Sequence, residues 1–208
     1  KKQKDALMLV LPSDHLIKFN KMFLSTLRDA CEVAEQDSNL VTIGITPDYP
    51  ETGYGYVKFS NRDTVGRAYE VECFVEKPNL ELAKKYLATE EYLWNSGIFV
   101  WKVSSILQNM KILMPDTYQR LMTIQEAIAT PNEEAVLEKE FFSMKAQSID
   151  YGIMEKAKNI YILPGTFGWD DVIVVDTDDA TLICAKDSAG DIKKVLENLK
   201  ICNRDEYI

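Results

Sequence analysis

The sequence predicts an α/β fold with a mixed, mainly parallel sheet flanked by helices. Apolar runs of strand length occupy residues 6–11 and 40–45, which is typical of strands buried on both faces. Between them, residues 20–36 place apolar side chains at the spacing of an amphipathic helix. A strand, a helix and a strand over this distance predict a βαβ unit, whose strands run parallel and whose helix covers one face of the sheet.

Further elements follow in order along the chain. Proline fits the first turn of a helix and not its interior, so Pro115 and Pro131 begin new segments within the helical stretch 103–142. Asn-Arg-Asp at 61–63 predicts a turn between two strands, and Asp178-Asp179 predicts another. The other predicted strands are 54–59, 69–76, 96–101, 160–163, 173–176 and 181–185. The other predicted helices are 79–88, 150–158 and 189–199.

Composition and charge narrow the class of protein. The 208 residues and 46% apolar content suit one domain over residues 1–208. A formal net charge of −9 argues against a nucleic-acid or anionic-membrane surface, because both are bound by clustered Lys and Arg. The four cysteines form no metal or disulfide pattern, and no apolar stretch is long enough to cross a bilayer. We therefore expect a cytoplasmic protein without nucleic-acid or membrane partners.

Two loops carry residues suited to ligand binding. Asp14 follows the first predicted strand at its carboxyl end, where open α/β sheets bind ligands, although an aspartate there can also cap a turn. In the loop 50–56, Gly53 and Gly55 would let the backbone approach a ligand and present its amides. The alternative for this loop is a tight connection with tyrosines packed beneath it.

Polar side chains also stand at the ends of two later strands. Glu76 and Lys77 are neighbours, and strand neighbours point to opposite faces, so we do not expect them merely to pair with each other unless the approach to Pro78 twists the strand end. Lys77 is a candidate phosphate binder, and the amide of Asn95 suits sugar hydroxyls. The alternative for Glu76 and Lys77 is a pair of solvated surface charges. The alternative for Asn95 is a structural role in a turn.

Asp170 or Asp171 could supply the second carboxylate of a metal site that includes Asp14. Mg²⁺ usually takes one or two protein carboxylates and completes its shell with phosphate and water oxygens, so such a pair predicts a metal site. The lone histidine, His15, lies beside a turn aspartate, which favours a structural hydrogen-bonding role over general-base catalysis.

Six short motifs are distributed along the chain. They are LVLPSDH (9–15), IGITPDYPETGYGYV (43–57), FVEKP (74–78), WNSGIFVW (94–101), SIDYGIMEKA (148–157) and GTFGWDDV (165–172). Each is weak alone, but together and in this order they resemble the motifs of mannose-1-phosphate guanylyltransferases, which are sugar nucleotidyltransferases. The resemblance covers almost the whole chain and implies a nucleotidyltransferase fold with a Rossmann-like sheet.

The resemblance implies a role for each matching residue. Asp14 and Asp171 would hold Mg²⁺, and Asp170 is the less suitable ligand because related enzymes have the pattern Trp-x-Asp. The implied catalytic residues are Asp14, Lys77 and Asp171. Gly55, Glu76 and Asn95 would contact the hexose, Lys77 would contact its phosphate, and Gly53 is a further implied substrate-binding residue.

The implied reaction joins GTP and mannose 1-phosphate into GDP-mannose and pyrophosphate. A sugar phosphate is largely ionised at neutral pH, since its second pKa is about 6, and therefore needs no general base. The reaction needs in-line alignment and neutralisation of the charge that builds on pyrophosphate. This requirement fits a sequence that shows Mg²⁺-type carboxylates and a lysine but no Ser-His-Asp or Cys-His set.

Two departures from the family pattern lead to further expectations. Nothing before Ala6 matches the glycine-rich loop that cradles the nucleotide triphosphate, and Ile173 follows the GWDDV motif without the family's intervening stretch. We expect the chain to lack both segments relative to the family. A nucleotidyltransferase for another hexose 1-phosphate and a non-catalytic nucleotide-sugar-binding regulatory subunit stay open as alternatives, as does a homodimer.

Overall fold

This computed structural model describes residues 5–13, 15–165, 167, 169–176 and 181–185, with the backbone alone at 61–63, 169–176 and 181–185. The strands are β1 (Leu7–Val10), β2 (His15–Ile17), β3 (Leu40–Ile45), β4 (Tyr56–Val65), β5 (Ala68–Val75), β6 (Tyr92–Lys102), β7 (Ile160–Gly165), β8 (Trp169–Asp176) and β9 (Thr181–Ala185). The helices are α1 (Asn20–Ala34), α2 (Leu80–Thr89), α3 (Val103–Leu113), α4 (Pro115–Ala127), α5 (Glu133–Phe142) and a π-helix (Asp150–Met154).

The chain divides into two compact units. The first unit combines Lys1–Leu11 with Ser25–Gly165, and the second combines Pro12–Leu24 with Thr166–Ile208. The expectation of one nucleotidyltransferase domain over residues 1–208 concerns evolutionary and functional organisation, and it stays a prediction.

The first unit contains a six-stranded sheet in the order β1-β6-β3-β7-β5-β4, with β4 also pairing to β6. The mixed α/β class is confirmed, but the mainly parallel sheet is wrong for the described strands, because β3 and β7 form their only parallel pair. β1 and β3 run in the same direction, as a βαβ unit requires, yet each pairs with the antiparallel strand β6 between them. Order along the sequence does not reveal such an inserted strand.

The two apolar strands that bracket α1 differ in burial. β3 lies between β6 and β7, and its first five residues are buried, as its continuous apolar run predicts. β1 is an edge strand of the described sheet, and Met8, Leu9 and Val10 are 42%, 41% and 38% exposed. Burial of β1 on both faces is therefore not found in the described part of the chain.

The hairpin of β4 and β5 turns later than predicted. The backbone at 61–63 belongs to β4, and the turn lies at Gly66 and Arg67 instead. Gly66 has φ of +60°, a conformation that glycine adopts without steric cost, which explains why the chain reverses there. The predicted turn coincides with an irregularity in pairing between Phe59 and Thr64.

The helices follow their sequence signals closely. Asn79 caps α2 by accepting a hydrogen bond from the Leu82 amide at 2.9 Å. Pro115 is the first residue of α4, and α5 begins two residues after Pro131, so both predicted breaks are confirmed. No helix within the described residues is long and apolar enough to span a membrane.

The second unit contains a three-stranded sheet in the order β2-β8-β9. The predicted antiparallel hairpin of residues 173–176 and 181–185 is confirmed by the pairing of β8 with β9. β8 pairs with β2 up to Asp171 and with β9 from Val172 onward, so its partner changes where a lacking segment is predicted. The predicted turn at 178–179 and helix at 189–199 lie outside the described residues.

Candidate active site at the rim of the first sheet

Asn95 lies at a bulge in β6. The register of β6 against β3 shifts between Thr42, which pairs with Phe99, and Gly44, which pairs with Asn95. Gly97 has φ of +71°, so the Asn-Ser-Gly sequence supplies the residue that this distortion requires. Bulges of this kind aim a side chain away from the regular pleat, and here that side chain is the carboxamide of Asn95.

The Asn95 carboxamide is held by three side-chain or backbone groups. Its Oδ1 accepts hydrogen bonds from Thr42 Oγ1 at 3.0 Å and from the Gly97 amide at 3.3 Å. Its Nδ2 donates to Oδ1 of Asp150 at 2.9 Å. The backbone N–H of Asn95 also donates a hydrogen bond to the Gly55 carbonyl at 2.8 Å. The sequence motif therefore predicted the residue, and tertiary contacts fix its orientation.

Gly55 lies against both Asn95 and Glu76. A Cβ at Gly55 would stand 2.5 Å from Glu76 Oε2 and 3.5 Å from Asn95 Cβ. Only a residue without a side chain allows the Glu76 carboxylate to approach the backbone so closely. Three residues that the sequence assigned to hexose binding are thus brought together by the fold.

Glu76 and Lys77 form an ion pair, contrary to the expectation from strand alternation. Lys77 Nζ is 3.4 Å from Glu76 Oε1. β5 ends at Val75, and Lys77 has φ of +46°, so both residues lie beyond the pleat that would separate them. The Lys77 side chain is 59% exposed while that of Glu76 is 11% exposed, which leaves the ammonium accessible to a ligand.

Burial raises the pKa of the Glu76 carboxyl above its usual range, and the nearby Asp150 carboxylate raises this pKa further. The ammonium of Lys77 acts in the opposite direction. Two carboxylates and one ammonium therefore share this rim. Such a group can accept hydrogen bonds from hydroxyls at Glu76 and bind an anion at Lys77.

Gly53 does not present a bare amide in the described structure. Its amide donates to Glu51 Oε1 at 2.6 Å, and the Thr52 amide donates to the same oxygen at 2.8 Å. Tyr54 packs edge-on against Trp94 with ring centroids 5.3 Å apart. For Gly53 the structure thus matches the alternative of a tight loop with packed tyrosines, and its substrate-binding role stays a prediction.

The predicted metal ligands belong to the second unit. Asp14 lies outside the described residues, and for Asp171 the backbone alone is described. The backbone of Asp171 pairs with that of His15, the residue that follows Asp14. The described pairing of β2 with β8 thus begins at His15 and ends at Asp171. The roles of Asp14 and Asp171 in binding metal and in catalysis stay predictions.

Sequence reasoning missed two members of the Asn95 group. Asp150 stands in the SIDYG motif, so its place in a recognisable segment could have marked it. Thr42 lies within a continuous apolar strand and is fully buried. A buried hydroxyl in such a run requires a hydrogen-bond partner, which was the available indication.

The geometry of this rim can be compared with known proteins. The family model described as Nucleotidyl transferase matches residues 1–176, which is most of the chain. The chain belongs to the nucleotidyl transferase family. A second model, described as the MannoseP isomerase/GMP-like beta-helix domain, matches residues 162–199 of this nucleotidyl transferase family member.

Curated relatives of this nucleotidyl transferase chain include two enzymes named mannose-1-phosphate guanylyltransferase. The relative from Salmonella montevideo is 34% identical over 260 residues, with 99% of this chain and 55% of the relative covered. The relative from Escherichia coli K12 is 33% identical, with 99% of this chain and 54% of the relative covered. The chain thus spans about half the length of these relatives.

Two solved structures are similar to the nucleotidyl transferase chain described here. One, named mannose-1-phosphate geranyltransferase, comes from Thermus thermophilus and has a TM-score of 0.70 at 25% identity, covering 93% of this chain and 70% of the other. The other, named mannose-6-phosphate isomerase, comes from Helicobacter pylori and has a TM-score of 0.69 at 25% identity, covering 82% and 66%.

Proposed function

We propose that the full-length protein transfers a guanylyl group from GTP to mannose 1-phosphate, giving GDP-mannose and pyrophosphate. The observation that carries this proposal is the grouping of Gly55, Glu76, Lys77 and Asn95 on one rim, where hydroxyl-binding groups lie beside an exposed ammonium. The names of the Salmonella montevideo and Escherichia coli relatives support mannose 1-phosphate and GTP as the substrates.

Each described residue has a distinct task in this proposal. The ammonium of Lys77 binds the phosphate of the sugar phosphate, while Glu76 accepts and Asn95 donates hydrogen bonds to sugar hydroxyls. An oxygen of that phosphate then forms a bond to the α-phosphorus of GTP, and the bond from that phosphorus to the oxygen bridging it to the β-phosphorus breaks, so that pyrophosphate leaves. Because the attacking oxygen is already ionised, the residues align it and move no proton.

Asp14 and Asp171 would hold Mg²⁺, which when bound neutralises charge on the phosphates. The donor set supports this assignment because carboxylate oxygens are the ligands that Mg²⁺ prefers. The backbone pairing of His15 with Asp171 gives further support, since His15 follows Asp14 directly in the sequence.

The relation to the relatives supports a longer native protein. The match to the Salmonella montevideo enzyme extends over 260 positions, whereas this chain has 208 residues, so the relative contains residues without a counterpart here. We infer that a segment near residues 172–173 is among the residues that complete the protein. The similarity to the Thermus thermophilus structure supports a Rossmann-like arrangement of the mixed sheet.

The proposed setting is the cytoplasm, with small-molecule substrates and neither nucleic-acid nor membrane partners. It rests on the net charge of −9 and on cysteines without a disulfide pattern. Cys31 and Cys73, the two whose side chains are described, are both free thiols. A homodimer remains a proposal for the assembly state.

Pyrophosphate release by the full-length protein tests the proposed function. GTP, UTP and dTTP are each combined with mannose 1-phosphate, glucose 1-phosphate and galactose 1-phosphate. We expect the highest kcat/KM with GTP and mannose 1-phosphate. A different preferred pair would favour a related nucleotidyltransferase, and binding of GDP-mannose without pyrophosphate release from any pair would favour a regulatory subunit.

Asp171→Asn tests the metal assignment. We expect the variant to lose Mg²⁺-dependent turnover and to bind Mn²⁺ more weakly in electron paramagnetic resonance titrations, because an amide replaces a carboxylate ligand. Asp170→Asn is the matched control, since it removes the adjacent carboxylate. Equal Mn²⁺ affinity in the two variants would remove Asp171 from the metal site.

A further inference from the structure

Asp150 contacts the Asn95 side chain, although the roles that the motifs imply do not include it. The two residues are 55 positions apart in the sequence, and their side chains meet at 2.9 Å between Asn95 Nδ2 and Asp150 Oδ1. Asp150 also lies close enough to Glu76 to raise the pKa of that carboxyl. Asp150 is therefore a member of the rim group and not an isolated surface residue.

The contacts of Asn95 determine what it can offer to a ligand. A carboxamide has two N–H donors and one oxygen with two acceptor sites. The Gly97 amide donates to the oxygen, as does the Thr42 hydroxyl, which shares its single proton with the Ile98 carbonyl, and Asp150 accepts from one of the two N–H donors. Among the described residues, the group that stays unengaged is the second N–H. Asn95 therefore presents an N–H donor to a ligand.

Packing fixes the position of Asp150. The residue begins the π-helix, whose following residues Gly152, Ile153 and Met154 are buried. Gly152 lies directly against Met114, so closely that a Cβ at this position would collide with the Met114 Sδ. The π-helix can therefore hold the Asp150 carboxylate at a constant place beside Asn95, as such irregular helical turns often do at functional sites.

We propose that Asp150 is a positioning residue that fixes the Asn95 carboxamide as a hydrogen-bond donor, so that the rim recognises a sugar ring through a donor at Asn95 and an acceptor at Glu76. This inference rests on the proposed function for the identity of the sugar phosphate. A pair of sugar hydroxyls satisfies both requirements, because a hydroxyl can accept a hydrogen bond from Asn95 and donate one to Glu76.

An exchange of the two side chains separates positioning from simple stabilisation. In the double variant N95D/D150N the hydrogen bond between the two positions can form again in the reversed direction, and the net charge is unchanged. Position 95 then has no N–H for a ligand, whereas Thr42 and Gly97 can still donate to its oxygen. The swap therefore keeps the internal contact but removes the donor.

The experiment measures mannose 1-phosphate binding by calorimetry and its KM in the pyrophosphate assay, with the full-length protein. We expect Asp150→Ala to weaken mannose 1-phosphate binding roughly tenfold without changing the KM for GTP, and Asp150→Asn, which keeps an acceptor, to restore most of the affinity. We expect N95D/D150N to regain the thermal stability of the wild type and still to bind mannose 1-phosphate at least roughly tenfold more weakly.

Two results would overturn the proposal. One is wild-type affinity in Asp150→Ala, and the other is wild-type affinity in N95D/D150N. If Asp150→Ala does not fold, the double variant still decides the question. The binding measurement also separates this inference from the proposed function: a wild-type protein that binds mannose 1-phosphate but releases no pyrophosphate contradicts the proposed function and leaves the positioning test intact.

Discussion

The two ends of the candidate site are built differently. At one end, Asn95 is fixed by Thr42, Gly97 and Asp150 and lies on a bulge within the sheet. At the other end, Lys77 has a 3.4 Å contact with Glu76, lies beyond the end of β5 and has a largely exposed side chain. The comparison indicates a preorganised end and an adaptable end, which in the proposed function bind the sugar hydroxyls and the phosphate respectively.

Lys77→Ala should cause the largest change in activity among the variants that test the two ends of the site. Removal of the ammonium eliminates a charge-assisted contact to the phosphate, and we expect kcat/KM for mannose 1-phosphate to fall on the order of a hundredfold. The steady-state pyrophosphate assay measures this change. Lys84→Ala, which removes an exposed lysine of α2, is the control. Similar kinetics for the two variants would show that Lys77 is an ordinary surface charge.

Gly55→Ala should have an intermediate effect. The new Cβ would lie 2.5 Å from Glu76 Oε2, and the end of that flexible side chain would have to move. We expect the KM for mannose 1-phosphate to rise roughly tenfold, as for the loss of one hydrogen bond, while the fold is retained.

Gly53→Ala is the comparison variant for Gly55→Ala, because it adds a Cβ elsewhere in the same loop. Because the Gly53 amide donates to Glu51, we expect a smaller rise in KM than for Gly55→Ala. A larger effect at Gly53 would contradict the assignment of the Glu76 contact to Gly55.

The smallest expected effect is the pH-dependent contribution of the Glu76 carboxyl to stability, which Glu76→Gln removes. The folded state raises the pKa of Glu76 above its ordinary value of 4.5, so the native protein binds this proton more tightly than the unfolded chain does. The contribution of Glu76 to the free energy of unfolding is therefore favourable at low pH and is lost as pH rises from 4.5 through the raised pKa.

Urea unfolding at pH 4 and pH 7 measures this contribution. We expect the free energy of unfolding of Glu76→Gln, relative to that of the wild type, to be higher at pH 7 than at pH 4, because the variant cannot ionise at this position. Glu81→Gln, at an exposed position of α2, reports the general effect of removing one carboxylate. The opposite sign of the pH dependence would contradict the raised pKa of Glu76.

Local signals in the sequence were sufficient for several elements. The continuous apolar run of β3, the Asn79 cap of α2 and the proline at the start of α4 each act within a few residues of the structure that they specify. The turn at 61–63 was wrong because Gly66, a few residues later, provides the backbone conformation that the reversal needs.

The contacts that complete the site join residues far apart in the sequence. Thr42 and Asp150 reach Asn95 across 53 and 55 positions, and Lys77 pairs with its neighbour because its backbone leaves the extended conformation. Hydrophobic periodicity does not predict such long-range contacts, since it indicates which face of an element is apolar and not which element lies beside it.

The sequence by itself determined the α/β class, most helix positions and the residue types of the candidate site, because propensity, capping and motif chemistry are local properties of the chain. Tertiary structure alone decided that β6 lies between β1 and β3, that the sheet is largely antiparallel in its described part, and that Asp150 holds Asn95. Strand order and side-chain orientation depend on packing between distant segments, and the energy of that packing is set only once the segments meet.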